Sequence, residues 1–164
     1  MKNKKALYIT QASMVAAIYV VLTYIVNMTG LASGVIQIRL SEALCVLPAF
    51  MPAAVPGLFI GCLISNLLCG AVIWDVIFGS LATLIGAVGT YLLRRKSKWL
   101  LPLPAILSNT VIIPIILTYA YGVPEAIWFS AATVFIGEFI SCGILGMLLY
   151  HSLNNPHIRN IFKN

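Results

Sequence analysis

Acidic side chains are scarce in this chain: Glu42, Asp75, Glu125 and Glu138 are the only four among 164 residues, and charged residues of both signs amount to 9%. So low a charge content excludes an ordinary water-facing surface, on which roughly a quarter to a third of residues are charged. Histidine is nearly as rare. His151 and His157 both lie in the polar tail, so the apolar bulk of the chain holds no imidazole for acid–base or metal chemistry. There is no GxxxxGK[ST] loop to cradle nucleotide phosphates, and HExxH and GxSxG are also missing. ATP hydrolysis by the P-loop route is thereby excluded, and no enzyme activity is expected. The four cysteines, Cys45, Cys62, Cys69 and Cys142, sit in apolar runs without a CxxC pair or a neighbouring His. They read as small buried hydrophobes, so neither a disulfide framework nor a metal centre is expected. Nor is there an internal repeat of the kind that many secondary carriers display.

What is present is hydrocarbon: 61% of residues are hydrophobic and the mean hydropathy is +1.01. An all-α integral membrane protein is the expectation, acting as one unit over residues 1–164. Six apolar spans can be drawn, at about 6–28, 40–52, 57–73, 76–93, 100–117 and 126–150. The first follows the basic start Met1–Lys5 and exceeds the roughly 7–15 apolar residues of a signal-peptide core, so it reads as an uncleaved helix. The second is short because Pro48, Pro52 and Pro56 close it, and Pro114 is expected to kink the fifth. Six crossings place both termini on one side. Lys2, Lys4, Lys5, Arg94, Arg95, Lys96, Lys98, Arg159 and Lys163 share that side and leave Arg39 alone opposite, so the termini are expected in the cytoplasm. The net charge of +6 is thus accounted for by topology, without nucleic acid.

Against this background the stretch at 35–44, VIQIRLSEAL, is the exception, because it puts Arg39 and Glu42 into an apolar chain. Residues 35–40 alternate in the manner of an extended segment that can fold over an external site. If the chain is helical from Leu40, Arg39 and Glu42 share a face and either flank a ligand or form an interfacial ion pair, with Ser41 or Gln37 as cap. Glu138 falls in the middle of the sixth span, where a carboxylate must face protein or a cavity; it reads as a ligand or relay group, or as a helix-knitting hydrogen-bonder. Asn66 and Asn109 are open to the same two readings. Trp74, Asp75, Tyr119, Tyr121 and Trp128 gather at the outer end: the aromatics as a membrane belt or a wall on which a planar ligand stacks, Asp75 as a helix cap or a second acid. Small residues recur every fourth position, at Ala12/Ala16, Gly57/Gly61/Ser65, Ala82/Gly86/Thr90 and Gly137/Ser141, as close helix packing or a docking face for another membrane subunit requires.

Taken together, the motifs QIRLSEAL (37–44), PGLFIGC (56–62), DVIFGSLAT (75–83) and Gly137-Glu138 resemble the QueT-type family of queuosine-precursor transporters, substrate-binding S components of energy-coupling factor (ECF) transporters. The resemblance implies a six-helix S-component bundle in the bacterial cytoplasmic membrane, with an outward-facing site. It implies as partners a transmembrane coupling subunit, docked on Ala12 and Ala16 of an AxxxA face, and two cytosolic ABC ATPases that consume the ATP. The implied substrate is a 7-deazaguanine base such as 7-aminomethyl-7-deazaguanine. Chemistry then suggests Glu138 for the base edge or amine, Glu42 or Asp75 as second acid, Arg39, Asn66 and Asn109 in support, and Trp74 or Trp128 for stacking. Another vitamin, a cobalamin-like ligand or a non-transporting scaffold role are the competing readings.

Overall fold

The computed structural model describes residues 3–30, 38–122 and 124–155. Gln37, the extended stretch at 35–37, His157, Arg159 and Lys163 therefore lie outside the described residues. Helix α1 (Lys4–Met28) is followed by a 3-10 helix (Leu40–Ala49), then α2 (Ala54–Leu68), α3 (Ile73–Leu93) and α4 (Leu103–Tyr119). Helix α5 (Ile127–Glu138) continues through a π-helical segment (Phe139–Leu145) into α6 (Gly146–Leu153). Among the described residues there is no strand.

Four segments, 4–28, 73–93, 98–119 and 127–153, are long and apolar enough to cross a membrane, and the two shorter apolar helices fill the space between them. The first of the short ones is the hub. It packs on α1, α2, α3, α6 and the π-segment, and Ser41, Glu42 and Leu44–Pro48 are all buried. A 3-10 helix rises about 2 Å per residue, so its ten residues reach about 20 Å where an α-helix of that length would reach about 15 Å. Pro48 lies inside it, near the end, and the chain then turns into α2.

Small residues set the helix spacing. A Cβ on Gly57 would come within 2.7 Å of the Ala12 carbonyl oxygen, and one on Gly61 within 2.8 Å of the Tyr19 Cβ, so α1 and α2 touch backbone to backbone. Gly86 does the same for α3 against Ala105 of α4. Two hydroxyls reinforce that second contact: Ser108 donates to the Ala82 carbonyl (2.9 Å) and Thr90 to the Leu101 carbonyl (2.8 Å). In lipid, where helices gain nothing by leaving water, such close contact and interhelical hydrogen bonding hold a bundle together. Large apolar side chains such as Ile9, Met28, Leu68, Val111 and Leu148 are exposed on its outside, as lipid contact requires.

Candidate functional site

The α2–α3 connection builds one wall of the site. Gly70, with φ +72°, ends α2: its own N–H bonds the Leu67 carbonyl and the next N–H, of Ala71, bonds that of Asn66. This left-handed stop needs glycine and satisfies the last helical carbonyls. The tight turn it makes lets the Asn66 amide reach across to donate to the Asp75 carbonyl oxygen at 3.3 Å. Asp75 occupies the first turn of α3, where an anion is favoured by the helix dipole. Its side chain makes no capping hydrogen bond. Instead one carboxylate oxygen, Oδ2, accepts from the Tyr121 hydroxyl at 3.2 Å, while Oδ1 is buried and has no hydrogen-bond partner among the described residues. Gly79 leaves the room for it, since a Cβ there would stand 2.7 Å from Oδ1 and 3.3 Å from the Asn66 nitrogen.

That unpaired oxygen borders a cavity of about 420 Å³, walled by Tyr19, Thr23, Asn27, Arg39, Asn66, Asp75, Ile113, Ile116 and Tyr121 among others. Arg39 stands at the N-terminus of the 3-10 helix in extended backbone, and its N–H is pinned to the Ser141 hydroxyl at 3.1 Å. Its charge faces Asp75, Tyr19 and Glu42. The cavity therefore offers a cation and an anion with a gap between them. Tyr121 closes the end at the α4–α5 turn, accepting from the Val72 N–H (3.2 Å) while donating to Asp75. Partial burial pushes the Tyr121 phenol above its ordinary pKa, and the neighbouring Asp75 charge adds to the effect.

Behind Tyr19 lies a second, closed cluster. Tyr19 donates to Glu42 Oε1 at 2.5 Å, Cys142 donates to Glu138 Oε2 at 3.2 Å, and Asn109 of α4 lies against Glu138. Glu42, Asn109 and Glu138 are all buried. A small void shared by Arg39 and Glu138 adjoins this cluster, between Ile113 and Val134.

Of the expected residues, Arg39, Asn66 and Asp75 thus meet in one cavity, and Glu42, Asn109 and Glu138 meet behind it. The two tryptophans do not join them. Trp74 is 54% exposed and stacks on Phe78 of its own helix, and Trp128 is 83% exposed. Trp74 directly precedes Asp75, and neighbouring helical positions are about 100° apart, so turning Asp75 inward turns Trp74 outward. The aromatic rings that do wall the cavity belong to Tyr19 and Tyr121. Tyr19 and Thr23 escaped notice in the sequence; the available signal was two polar-tipped residues one helical turn apart in an apolar span, with Thr23 bonding Ser41 at 2.9 Å. Ala12 and Ala16 lie elsewhere, along the α1–α2 contact, where they floor an apolar groove of about 680 Å³ flanked by Ile9, Val20, Pro56 and Ile60.

A family model described as the QueT transporter matches residues 9–155, a stretch that includes every residue of both clusters. The chain belongs to the QueT transporter family. The Lactococcus lactis subsp. cremoris (strain MG1363) protein named "Queuosine precursor transporter QueT" is 40% identical over 86 residues, covering 52% of this chain and 50% of that relative. The match thus spans about half the length of the curated relative. No solved structure matches. Family membership and the apolar helices together make this a multi-pass protein of the cell membrane.

Proposed function

We propose that this QueT family member is the substrate-binding subunit of an ECF-type importer, and that its cavity captures a queuosine precursor of the 7-deazaguanine class, such as 7-aminomethyl-7-deazaguanine. The observation that carries this reading is the buried, unpartnered Asp75 Oδ1 opposite Arg39. A buried polar atom without a partner costs free energy, so a ligand that supplies a donor there is bound with a gain that a filled site would not give. A guanine-type edge presents N–H donors beside a carbonyl acceptor, which matches a carboxylate on one wall and a guanidinium on the other. Asn66 fixes the Asp75 backbone, and Tyr121 holds the second carboxylate oxygen so that the first stays turned inward. At about 420 Å³ the cavity lies at the small end of the range for small-molecule sites, as suits a base-sized ligand with a few waters.

The partners follow from the same chemistry. No nucleotide-phosphate loop exists in the chain, so ATP-driven uptake needs ATPase subunits, and the apolar groove over Ala12 and Ala16 suits a transmembrane helix of a coupling subunit. Arg94, Arg95, Lys96 and Lys98 follow the end of α3 remote from Asp75, which under the positive-inside rule turns the cavity outward.

Calorimetric titration of the purified chain with 7-aminomethyl-7-deazaguanine tests the reading. Wild type should bind, and Asp75→Asn should bind at least tenfold more weakly, as expected for loss of a charge-assisted hydrogen bond. A folded wild type that takes up neither this ligand nor guanine would overturn it.

A further inference from the structure

The Glu42–Glu138 cluster is not used by the binding scheme above, yet it places two carboxylates where lipid and protein exclude water. Acceptor and donor atoms of Glu42, Glu138 and Cys142 lie within 4.8 Å of one another. Every element packed around them contributes a group: Tyr19 from α1, Arg39 and Cys45 at the 3-10 helix, Cys62 from α2, Asp75 from α3, Asn109 from α4 and Cys142 from the π-segment. Arg39 is the one cation in this set, and it also faces Asp75. Three carboxylates thus share a single guanidinium, and two adjacent like charges in a water-poor interior do not both persist without further compensation.

We infer that Glu42 and Glu138 hold one proton between them, and that a cationic ligand entering the neighbouring cavity displaces it. This rests on the proposed binding of an amine-bearing base. Asn109 supplies the independent observation: it is buried against Glu138, and its side-chain nitrogen has no hydrogen-bond partner among the described residues. An amide can present its oxygen to a protonated carboxyl or, after a half-turn, its nitrogen to an ionised one. Asn109 therefore serves either state of Glu138, whereas Tyr19 and Cys142 serve as donors. In the empty site the pair carries one negative charge that balances Arg39. When an ammonium group arrives near Asp75 and Arg39, the added positive charge favours the second carboxylate, and the proton leaves through the Arg39–Glu138 void for bulk water. One proton is released, none is transferred to the ligand, and no bond other than O–H breaks. A neutral base adds no charge and releases nothing.

The test is calorimetry of 7-aminomethyl-7-deazaguanine binding at one pH in phosphate and in Tris, whose heats of ionisation differ, with guanine as the neutral probe. The heat difference should report up to one proton released per amine bound and none for guanine. Affinity for the amine should rise with pH, by about tenfold per unit at most. Glu138→Gln should abolish the release. Should that variant fail to fold, infrared difference spectra of the wild type provide the second reading, with a protonated-carboxyl band that disappears when the amine is added. Equal heats in the two buffers, an unchanged release in Glu138→Gln, or a band unaffected by ligand would overturn the proton site while leaving the binding reading intact. Stoichiometric metal in the purified protein would also overturn it, because a cation would stand where the proton is placed. Failure of both probes to bind would remove the binding reading and this inference with it.

Discussion

Gly79→Ala is the sharpest probe of the cavity, because it adds one methyl group next to the atom on which the binding scheme turns. The new Cβ would stand 2.7 Å from Asp75 Oδ1 and 3.3 Å from the Asn66 nitrogen. The nearest atoms belong to side-chain ends rather than backbone, so the helix can keep its place while the carboxylate swings away. Tyr121 still holds the other oxygen, so the swing is resisted from that side. The expected loss is that of one hydrogen bond to a charged group, about 1.5–3 kcal/mol, which at about 1.4 kcal/mol per decade is a roughly ten- to hundredfold rise in Kd. Alanine is a better helix former than glycine by up to about 1 kcal/mol, so thermal stability should hold or increase slightly. Calorimetry with 7-aminomethyl-7-deazaguanine and a melting curve in the same detergent measure both quantities. Unchanged affinity would refute the assignment of Oδ1 as a ligand contact, and a fall in melting temperature matching the fall in affinity would refute the claim that the effect is local.

Gly57→Leu should destabilise the bundle by about 1–3 kcal/mol or more, because its side chain would press on the Ala12 carbonyl and Val15; the readout is a lowered melting temperature without ligand. Trp74→Ala and Trp128→Ala should leave ligand affinity within about twofold, as both rings lie outside the cavity, and a tenfold loss in either would restore the stacking role. For Tyr121, a difference titration of wild type against Tyr121→Phe should show a phenol ionising above the free tyrosine range. With its pKa raised, the hydroxyl's contribution to stability is fully present below the unfolded value of about 10 and is lost as pH rises through the folded value. A phenol titrating at or below that of free tyrosine would contradict the partial burial beside Asp75.

Helix positions were legible because charge and proline punctuate an apolar chain. Arg94–Lys98 marks the end of α3, and Pro48 and Pro52 mark the turn into α2. The 3-10 character of residues 40–49 was not legible, since it follows from close packing on five other elements and not from any local preference. Helix rotation was equally hidden. A span that is apolar on every face carries no polar stripe to show which side turns inward, so nothing in the sequence said that Glu138 meets Asn109 while Asn66 meets Asp75. Asp75 was visible as an acid at a helix start, where capping is an adequate explanation; only the missing cap bond and the unpaired oxygen separate the two roles.

The π-segment has a consequence for chain length. It aligns Ser141 with the Arg39 N–H, Cys142 with the Glu42 carbonyl and Gly146 with the Ala43 carbonyl, all along one line on the 3-10 helix. Removing any single residue from 139–145 would barely alter hydropathy, yet with α pitch restored it would rotate everything after it by about 100°. Gly146 would leave its seat and a larger neighbour would take it. A length change between Arg94 and Lys98 displaces no such line. Relatives of this chain are therefore better placed in register by counting residues through the last helix than by matching their apolar character.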